Sequence, residues 1–223
     1  MNIEEFLVVI PARSGSKRIE NKNRILFNKK PLIEHTIEYA KKKIGAQIVI
    51  STNDKMIAPI AQKHGVEIIW REEHLCQDNS TTLDVLKDVV ERVNPQFKFL
   101  ILLQPTNPLR PKNLFAKCVE ALNTSKNQSV ITLGINKHKL GVINEEFYRP
   151  TSYFFGQRSQ DLQPLYYENG LMYIIPFSTI KKGKLMSDKP CPVIVNHPYS
   201  SVDIDDEMDL KWAEFIVKNY KDE

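Results

Sequence analysis

Phe6-Leu7-Val8-Val9-Ile10-Pro11-Ala12-Arg13-Ser14-Gly15-Ser16-Lys17-Arg18, running on to Lys22-Asn23, sets an apolar stretch directly against a short basic loop. The apolar run Phe6–Ile10 reads as a buried strand. Gly15 lets the backbone approach a ligand closely, Ser14 and Ser16 offer hydroxyls, and Arg13, Lys17, Arg18 and Lys22 offer positive charge. Such a loop suits a polyphosphate. A solvated turn between a strand and a helix fits the same residue types. The loop matches neither G-x-G-x-x-G nor G-x-x-x-x-G-K-[ST], so those two phosphate sites are disfavoured.

Outward from this stretch, strand and helix patterns alternate. Strands are predicted at Phe6–Ile10, Gln47–Ser51, Val66–Trp70, Phe99–Leu103 and Ser129–Leu133, and helices at Leu32–Lys43, Lys55–His64, Thr82–Val93 and Lys112–Leu122. Thr82–Val93 carries apolar residues at 83, 85, 86, 89, 90 and 93, one helical face. Gly65 suits a helix C-terminus, and Pro111 suits the first helical position. This order predicts an α/β fold with a mostly parallel central sheet and helices on both faces. In such sheets ligands bind beyond the carboxyl ends of the strands, which gathers the loops 11–23, 51–54, 71–82 and 104–110 on one rim.

The alternation breaks over 134–168, which is rich in glycine, proline and aromatics (Phe147, Tyr148, Tyr153, Phe154, Phe155). These aromatics exceed the needs of a solvated loop, so the segment is expected to be an excursion within a single domain of residues 1–223, serving as a dimer contact, a lid or a packed satellite. Regular structure resumes at Leu171–Ile175 and Val193–Val195, and Asp209–Asn219 closes the chain as an amphipathic helix.

Bulk properties narrow the function. The chain has 223 residues, 42% hydrophobic and 26% charged, with a formal net charge of +4, ordinary values for a protein with a real core. Its basic residues are spread along the sequence, which argues against nucleic acid as a partner, while a mild positive charge fits anionic ligands. No run approaches a membrane span and the N-terminus is no signal peptide. Three scattered cysteines, Cys76, Cys118 and Cys191, predict reduced thiols and a cytoplasmic protein.

Three further stretches carry candidate chemistry. In Ser201-Val202-Asp203-Ile204-Asp205-Asp206, an extended chain places Asp203 and Asp205 on one face, a seat for Mg²⁺. Capping of the last helix by Asp205 or Asp206 is the structural alternative. Leu102-Leu103-Gln104-Pro105-Thr106-Asn107-Pro108-Leu109-Arg110 is a proline-stiffened loop whose amide, hydroxyl and guanidinium suit a sugar or phosphate, or a plain structural turn. Arg71, with Asp78-Asn79-Ser80-Thr81-Thr82, combines a cation with a helix N-terminus, capped by Ser80 or Thr81. The five histidines show no metal spacing.

Taken together, I-P-A-R-S-G-S-K-R-x4-K-N (10–23), Arg71 with Asp78–Thr82, L-L-Q-P-T-N-P-L-R (102–110) and S-V-D-I-D-D-E-M-D-L (201–210) resemble, in the same order, the blocks of the cytidylyltransferases that activate acidic sugars. The nearest match is the N-acylneuraminate (CMP-sialic acid) cytidylyltransferase group with its legionaminic and pseudaminic relatives. The resemblance spans nearly the whole chain. It implies a Rossmann-like nucleotidyltransferase fold with a dimerisation excursion. It also implies a Mg²⁺-dependent enzyme joining CTP to an acidic nine-carbon sugar, working as a homodimer. Arg13, Ser16, Lys22 and Asn23 would hold the triphosphate; backbone around Ala12, with Arg71, Ser80 and Thr82, would bind cytidine. Gln104 and Thr106 would face the sugar, and Asp203 and Asp205 the metal, so that Arg13, Lys22, Asp203 and Asp205 would carry the catalysis. Lys17 and Arg18 are left as solvated charge.

Where many of these enzymes show R-P-N-G, this chain has Tyr167-Glu168-Asn169-Gly170. Loss of that cation makes a related sugar, such as legionaminic acid, competitive with N-acetylneuraminate. Tyr167 and Arg158, with Lys137 and Lys139, are then candidates for meeting the sugar. The alternatives are activation of an eight-carbon acidic sugar and a nucleotide-binding homologue without turnover.

Overall fold

A computed structural model describes residues 1–126 and 128–220. Its elements in chain order are β1 (Phe6–Pro11), β2 (Leu26–Phe27), β3 (Lys30–Pro31), α1 (Leu32–Tyr39), β4 (Gln47–Thr52), α2 (Ala58–His64), β5 (Glu67–Trp70), α3 (Thr82–Arg92), β6 (Phe99–Leu102), α4 (Leu114–Thr124), β7 (Val130–Asn136), β8 (Gly141–Asn144), β9 (Phe147–Pro150), β10 (Leu165–Pro176), α5 (Phe177–Lys181), β11 (Cys191–Ile194) and α6 (Glu207–Asn219). The main sheet has seven strands in the order β11-β7-β10-β6-β1-β4-β5. β1 pairs in parallel with β4 and β6, β4 with β5, and β7 with β11. β10 alone runs antiparallel, wedged between β6 and β7.

Alternation along β1 explains the layers. Phe6, Val8 and Ile10 point into a core shared with Ile33 and Ile37 of α1, Ala61 of α2, and Leu114, Cys118 and Leu122 of α4. Leu7 and Val9 point the other way, onto Leu86 and Val89 of α3 and Phe177 and Ile180 of α5. Both faces of β1 are therefore covered, which is why its sequence is uniformly apolar. A third, smaller core of Phe27, Leu32, Leu109, Tyr199, Val202, Ile204, Ala213 and Ile216 docks α6 beside the carboxyl end of the sheet.

Differences from the sequence reading have local causes. α4 starts at Leu114, not Lys112, because the Leu114 amide bonds the Pro111 carbonyl in a turn (3.1 Å) and Asn113 takes the cap position. β7 extends to Asn136 and β10 begins at Leu165, so only 137–164 leaves the main sheet. Within that excursion β8 and β9 form a hairpin. In β10, Glu168 faces Leu133 while Tyr173 faces Ile131, so the intervening residues bulge out of the ladder. Asn169 and Gly170 sit in that bulge.

Candidate active site

The loop after β1 is pinned from below. The Ser14 amide donates to Asn53 Oδ1 and Asn53 Nδ2 donates to Ser14 Oγ, both at 2.8 Å. Asn23 Nδ2 donates to the Arg13 carbonyl (2.9 Å), closing the loop at its base. Gly15 sits at φ +76° with open space around it, so its conformation, not crowding, calls for glycine. Both backbone groups of Ala12 are already engaged: its amide donates to the Ser51 carbonyl (2.9 Å) and its carbonyl accepts the Thr52 hydroxyl.

The loop faces a cleft of about 390 Å³ lined by residues from three of the four rim segments, 11–23, 71–82 and 104–110, with Val85 and Asp205, while 51–54 does not reach it. The cleft brings together Arg13, Ser16, Lys22, Asn23, Arg71, Ser80, Thr82, Gln104, Thr106 and Asp205 from the sequence reading. Asp203 is not among the lining residues, but Thr106, which is, acts on its carboxyl. Arg158 and Tyr167 lie outside the lining: Arg158 pairs with Asp161 (2.7 Å), and the Tyr167 hydroxyl donates to the Ser200 carbonyl (3.1 Å). A larger concavity of about 620 Å³ next to it is lined by Glu72, Asp84, Asp88 and Glu91 against Lys87 and His74, a surface that repels a polyanion.

The cations of the loop are held by two carboxylates. Asp78 accepts from Arg13 (3.0 Å) and Lys17 (2.6 Å); Asp205 accepts from Lys22 (2.6 Å) and Arg18 (2.9 Å). Lys17 and Arg18, read as solvated charge, are thus exposed but paired, and both line the cleft. Lys22 is the least exposed of the four, at 16%. Its hydrogen bond holds the Asp205 carboxyl below the usual carboxylate range, with Arg18 adding to the effect. Burial pushes Asp203 the other way, opposed by the Thr106 side chain and reinforced by the Asp205 charge. Arg71 donates from Nε to Ser51 Oγ (2.9 Å), and burial lowers its guanidinium to about 10, so it remains a cation.

Residues without an obvious sequence signal assemble the end of the cleft around Gln104 and Thr106. Asn107 is fully buried; its Nδ2 donates to the carbonyls of Asn169 (3.0 Å) and Val202 (2.9 Å). The Ile204 amide donates to the Thr106 carbonyl (2.8 Å). The loop after β6 therefore fixes the Asp203-Ile204-Asp205 segment, with Ile204 buried in the third core. The capping alternative also holds, since Asp206 is the N-cap of α6 in a capping box with Asp209, and Thr81 caps α3 in the same way with Asp84. Asn169 Oδ1 accepts from Thr132 Oγ1 (2.7 Å) and the Leu171 amide (3.2 Å), while its Nδ2 is buried without a partner among the described residues. Of the two readings of the 102–110 loop, Arg110 follows the structural one: it is turned inward and 4% exposed.

Comparison with known proteins follows the same outline. The sequence profile of the family described as "Cytidylyltransferase" matches residues 7–202. The chain belongs to the cytidylyltransferase family. Within the family it is 31% identical to the CMP-N,N'-diacetyllegionaminic acid synthase of Legionella pneumophila, over 96% of each chain. It is likewise 31% identical to the pseudaminic acid cytidylyltransferase of Campylobacter jejuni, over 95% of this chain and 96% of that one. Against the N-acylneuraminate cytidylyltransferase of Streptococcus agalactiae identity is 33%, over 80% of this chain and 45% of the longer relative. Among solved structures, CMP:2-keto-3-deoxy-manno-octonic acid synthetase complexed with CTP superposes with a TM-score of 0.70 at 15% identity, covering 96% of this chain and 98% of that one. At that identity the likeness speaks for this cytidylyltransferase's nucleotidyltransferase fold alone. No helix among the described residues is long and apolar enough to cross a membrane.

Proposed function

We propose that this cytidylyltransferase joins CTP to a nonulosonic acid, a nine-carbon acidic sugar of the legionaminic or sialic type, releasing pyrophosphate. The observation that carries this reading is the Lys22–Asp205 contact, which closes a cationic loop onto the D-I-D segment within one cleft that also contains Gln104. The sugar hydroxyl attacks the α-phosphorus, the bond to the β-phosphate breaks, and pyrophosphate leaves. Arg13, Ser16, Lys22 and Asn23 hold the triphosphate, and Arg71, Ser80 and Thr82 receive the cytidine. Gln104 and Thr106 orient the sugar. The chain's contribution is chiefly alignment and neutralisation of charge on the transferring group.

Asp203 and Asp205 suit a hard divalent cation such as Mg²⁺. They offer carboxylate oxygens on either side of buried Ile204, and the Asp205 charge acts on Asp203. No cluster of three metal-ligating side chains occurs among the described residues, which suits an ion completed by substrate phosphates. When bound, the ion would neutralise charge on the phosphates.

The enzyme is further proposed to act as a homodimer, because the β8–β9 hairpin leaves Ile143 and Phe147 more than 70% exposed, at 75% and 78%, and Phe154 and Phe155 little less. The cysteines Cys76, Cys118 and Cys191 are unbridged, in keeping with a reducing cytoplasm.

The test is pyrophosphate release from CTP and Mg²⁺ with legionaminic, pseudaminic, N-acetylneuraminic and eight-carbon acidic sugars. Release with a nine-carbon acid supports the reading. Release only with the eight-carbon acid, or CTP binding without release from any acidic sugar, overturns it.

A further inference from the structure

Arg110 is an unusual buried cation. Its guanidinium is enclosed by protein and no carboxylate among the described residues pairs with it. Leaving such a charge without an anion is costly unless neutral dipoles replace water around it. Three do so here. Nε donates to the Leu171 carbonyl (2.6 Å), Nη1 to Thr36 Oγ1 (3.1 Å) and Nη2 to the Gln104 carbonyl (2.8 Å), with the group set over the Tyr39 ring at 5.7 Å. A planar fork with donors on three sides can meet three acceptors at once, whereas an ammonium presents its donors from one point.

The three acceptors belong to different parts of the fold. Thr36 lies on α1, Gln104 on the loop after β6, and Leu171 within the bulged stretch of β10. At the bulge, Gly170 approaches the Gln104 side chain so closely that a Cβ there would stand 2.8 Å from Gln104 Oε1. The separation between the Gln104 backbone and Leu171 thus sets where the Gln104 amide rests.

We propose that Arg110 is a positioning residue for the sugar half of the cleft: it ties the Gln104 backbone to Leu171 and α1, and so aims the Gln104 amide without itself touching substrate. This rests on the reading above that Gln104 meets the sugar. The brace has a specific consequence. Loosening it disturbs the sugar end and spares the triphosphate end, whose residues hang on Asn53, Asn23 and Asp205.

The experiment uses full-length Arg110→Lys, Thr36→Val, Gln104→Ala and the Arg110→Lys/Gln104→Ala double variant. Each is assayed for KM and kcat toward the sugar at saturating CTP, and for KM toward CTP at saturating sugar. Arg110→Lys is expected to lower kcat/KM for the sugar about tenfold while the KM for CTP stays within about twofold. In the Gln104→Ala background the same change should cost less than about twofold more, because the group being aimed is gone. Thr36→Val, which removes one acceptor that does not line the cleft, should show the same sugar-selective loss at a few-fold, and decides the matter if Arg110→Lys does not fold. A rise in both KM values together, or losses that multiply in the double variant, overturns the proposal. Amide hydrogen exchange across 104–109 without substrates reads the brace separately: it should quicken in Arg110→Lys or Thr36→Val, and unchanged exchange overturns the brace. Failure of the wild type to use any acidic sugar would sink the proposed reaction while leaving that exchange result to stand.

Discussion

Lys22 Nζ lies 2.6 Å from Asp205 Oδ1, joining two residues 183 positions apart in sequence. The contact brings the loop after β1 to the segment before α6, so the cations of that loop and Asp205 share one cleft. Asp205→Asn keeps the shape and removes the charge. Turnover is expected to fall on the order of 100-fold, since the change weakens the proposed seat of the cation that neutralises charge on the reacting phosphates. The thermal midpoint should hardly move, because Asp205 is 44% exposed and such pairs contribute little to stability. Turnover within twofold of wild type would remove Asp205 from the machinery.

Gly170→Ala tests the proposed sugar end through packing. Gly170 has φ +70°, a conformation that costs an L-residue about 1 kcal/mol or more. The added Cβ would also stand 2.5 Å from Asn107 Oδ1 and 2.8 Å from Gln104 Oε1. Asn107 cannot yield easily, because its amide holds Asn169 and Val202. The expected outcome is a loss of roughly 2–4 kcal/mol in urea unfolding together with weakened use of the sugar. A variant within about 0.5 kcal/mol of wild type would show that the bulge can relax, contrary to this account.

Much of this arrangement was legible in the sequence because it depends on residue type and period. The uniformly apolar β1, the amphipathic face of Thr82–Val93 and the polar loops at strand ends gave the alternating α/β order and the functional rim. The cations of 13–22 and the D-I-D pair were visible as chemistry. Their meeting was not, since no local pattern encodes a contact between Lys22 and Asp205. Strand direction was equally hidden: Leu171–Ile175 reads as apolar whichever way β10 runs, and the bulge at Asn169–Gly170 leaves no period. Arg110 misleads because a charged residue in a polar loop reads as solvent-facing, whereas the neutral acceptors that solvate it come from elements 61 to 74 residues away and from Gln104 nearby. Asn107 shows no signal at all beyond its place between two prolines.

Glu38 supplies a pH-dependent contribution to stability away from the cleft. Hydrogen bonds from Lys30 and then Lys42 lower its carboxyl from 4.5 to about 2 against the opposing effect of burial. A depressed carboxylate stabilises the fold at pH values above its unfolded value and loses that contribution as pH falls toward the folded one. The window therefore runs from about pH 4.5 down to about 2. Both lysines are substantially exposed, at 43% and 68%, so screening reduces the contribution to about 1 kcal/mol. Glu38→Gln should be less stable than wild type by that amount at pH 7, with the two urea curves converging as pH falls below 4.5. A difference that stays constant from pH 7 to 3 would contradict the assignment.

The hairpin makes the last prediction. Ile143 and Phe147 project from β8 and β9 with three-quarters of their surface exposed, at 75% and 78%. Their register places Ile143 opposite Tyr148 and Asn144 opposite Phe147, so the two apolar side chains stand near the hairpin tip on its opposite faces, and a second copy that clasps the tip would cover both. Burying each of them in a second copy would contribute about 1.5–3 kcal/mol. A double change, Ile143→Asp with Phe147→Asp, removes that gain and places four like charges in an interface related by two-fold symmetry. Sedimentation velocity should show wild type as a dimer and the variant as a monomer, with unchanged circular dichroism because neither side chain belongs to a core. A wild-type monomer at tens of micromolar, or a variant that stays dimeric, would move the dimer contact away from this hairpin.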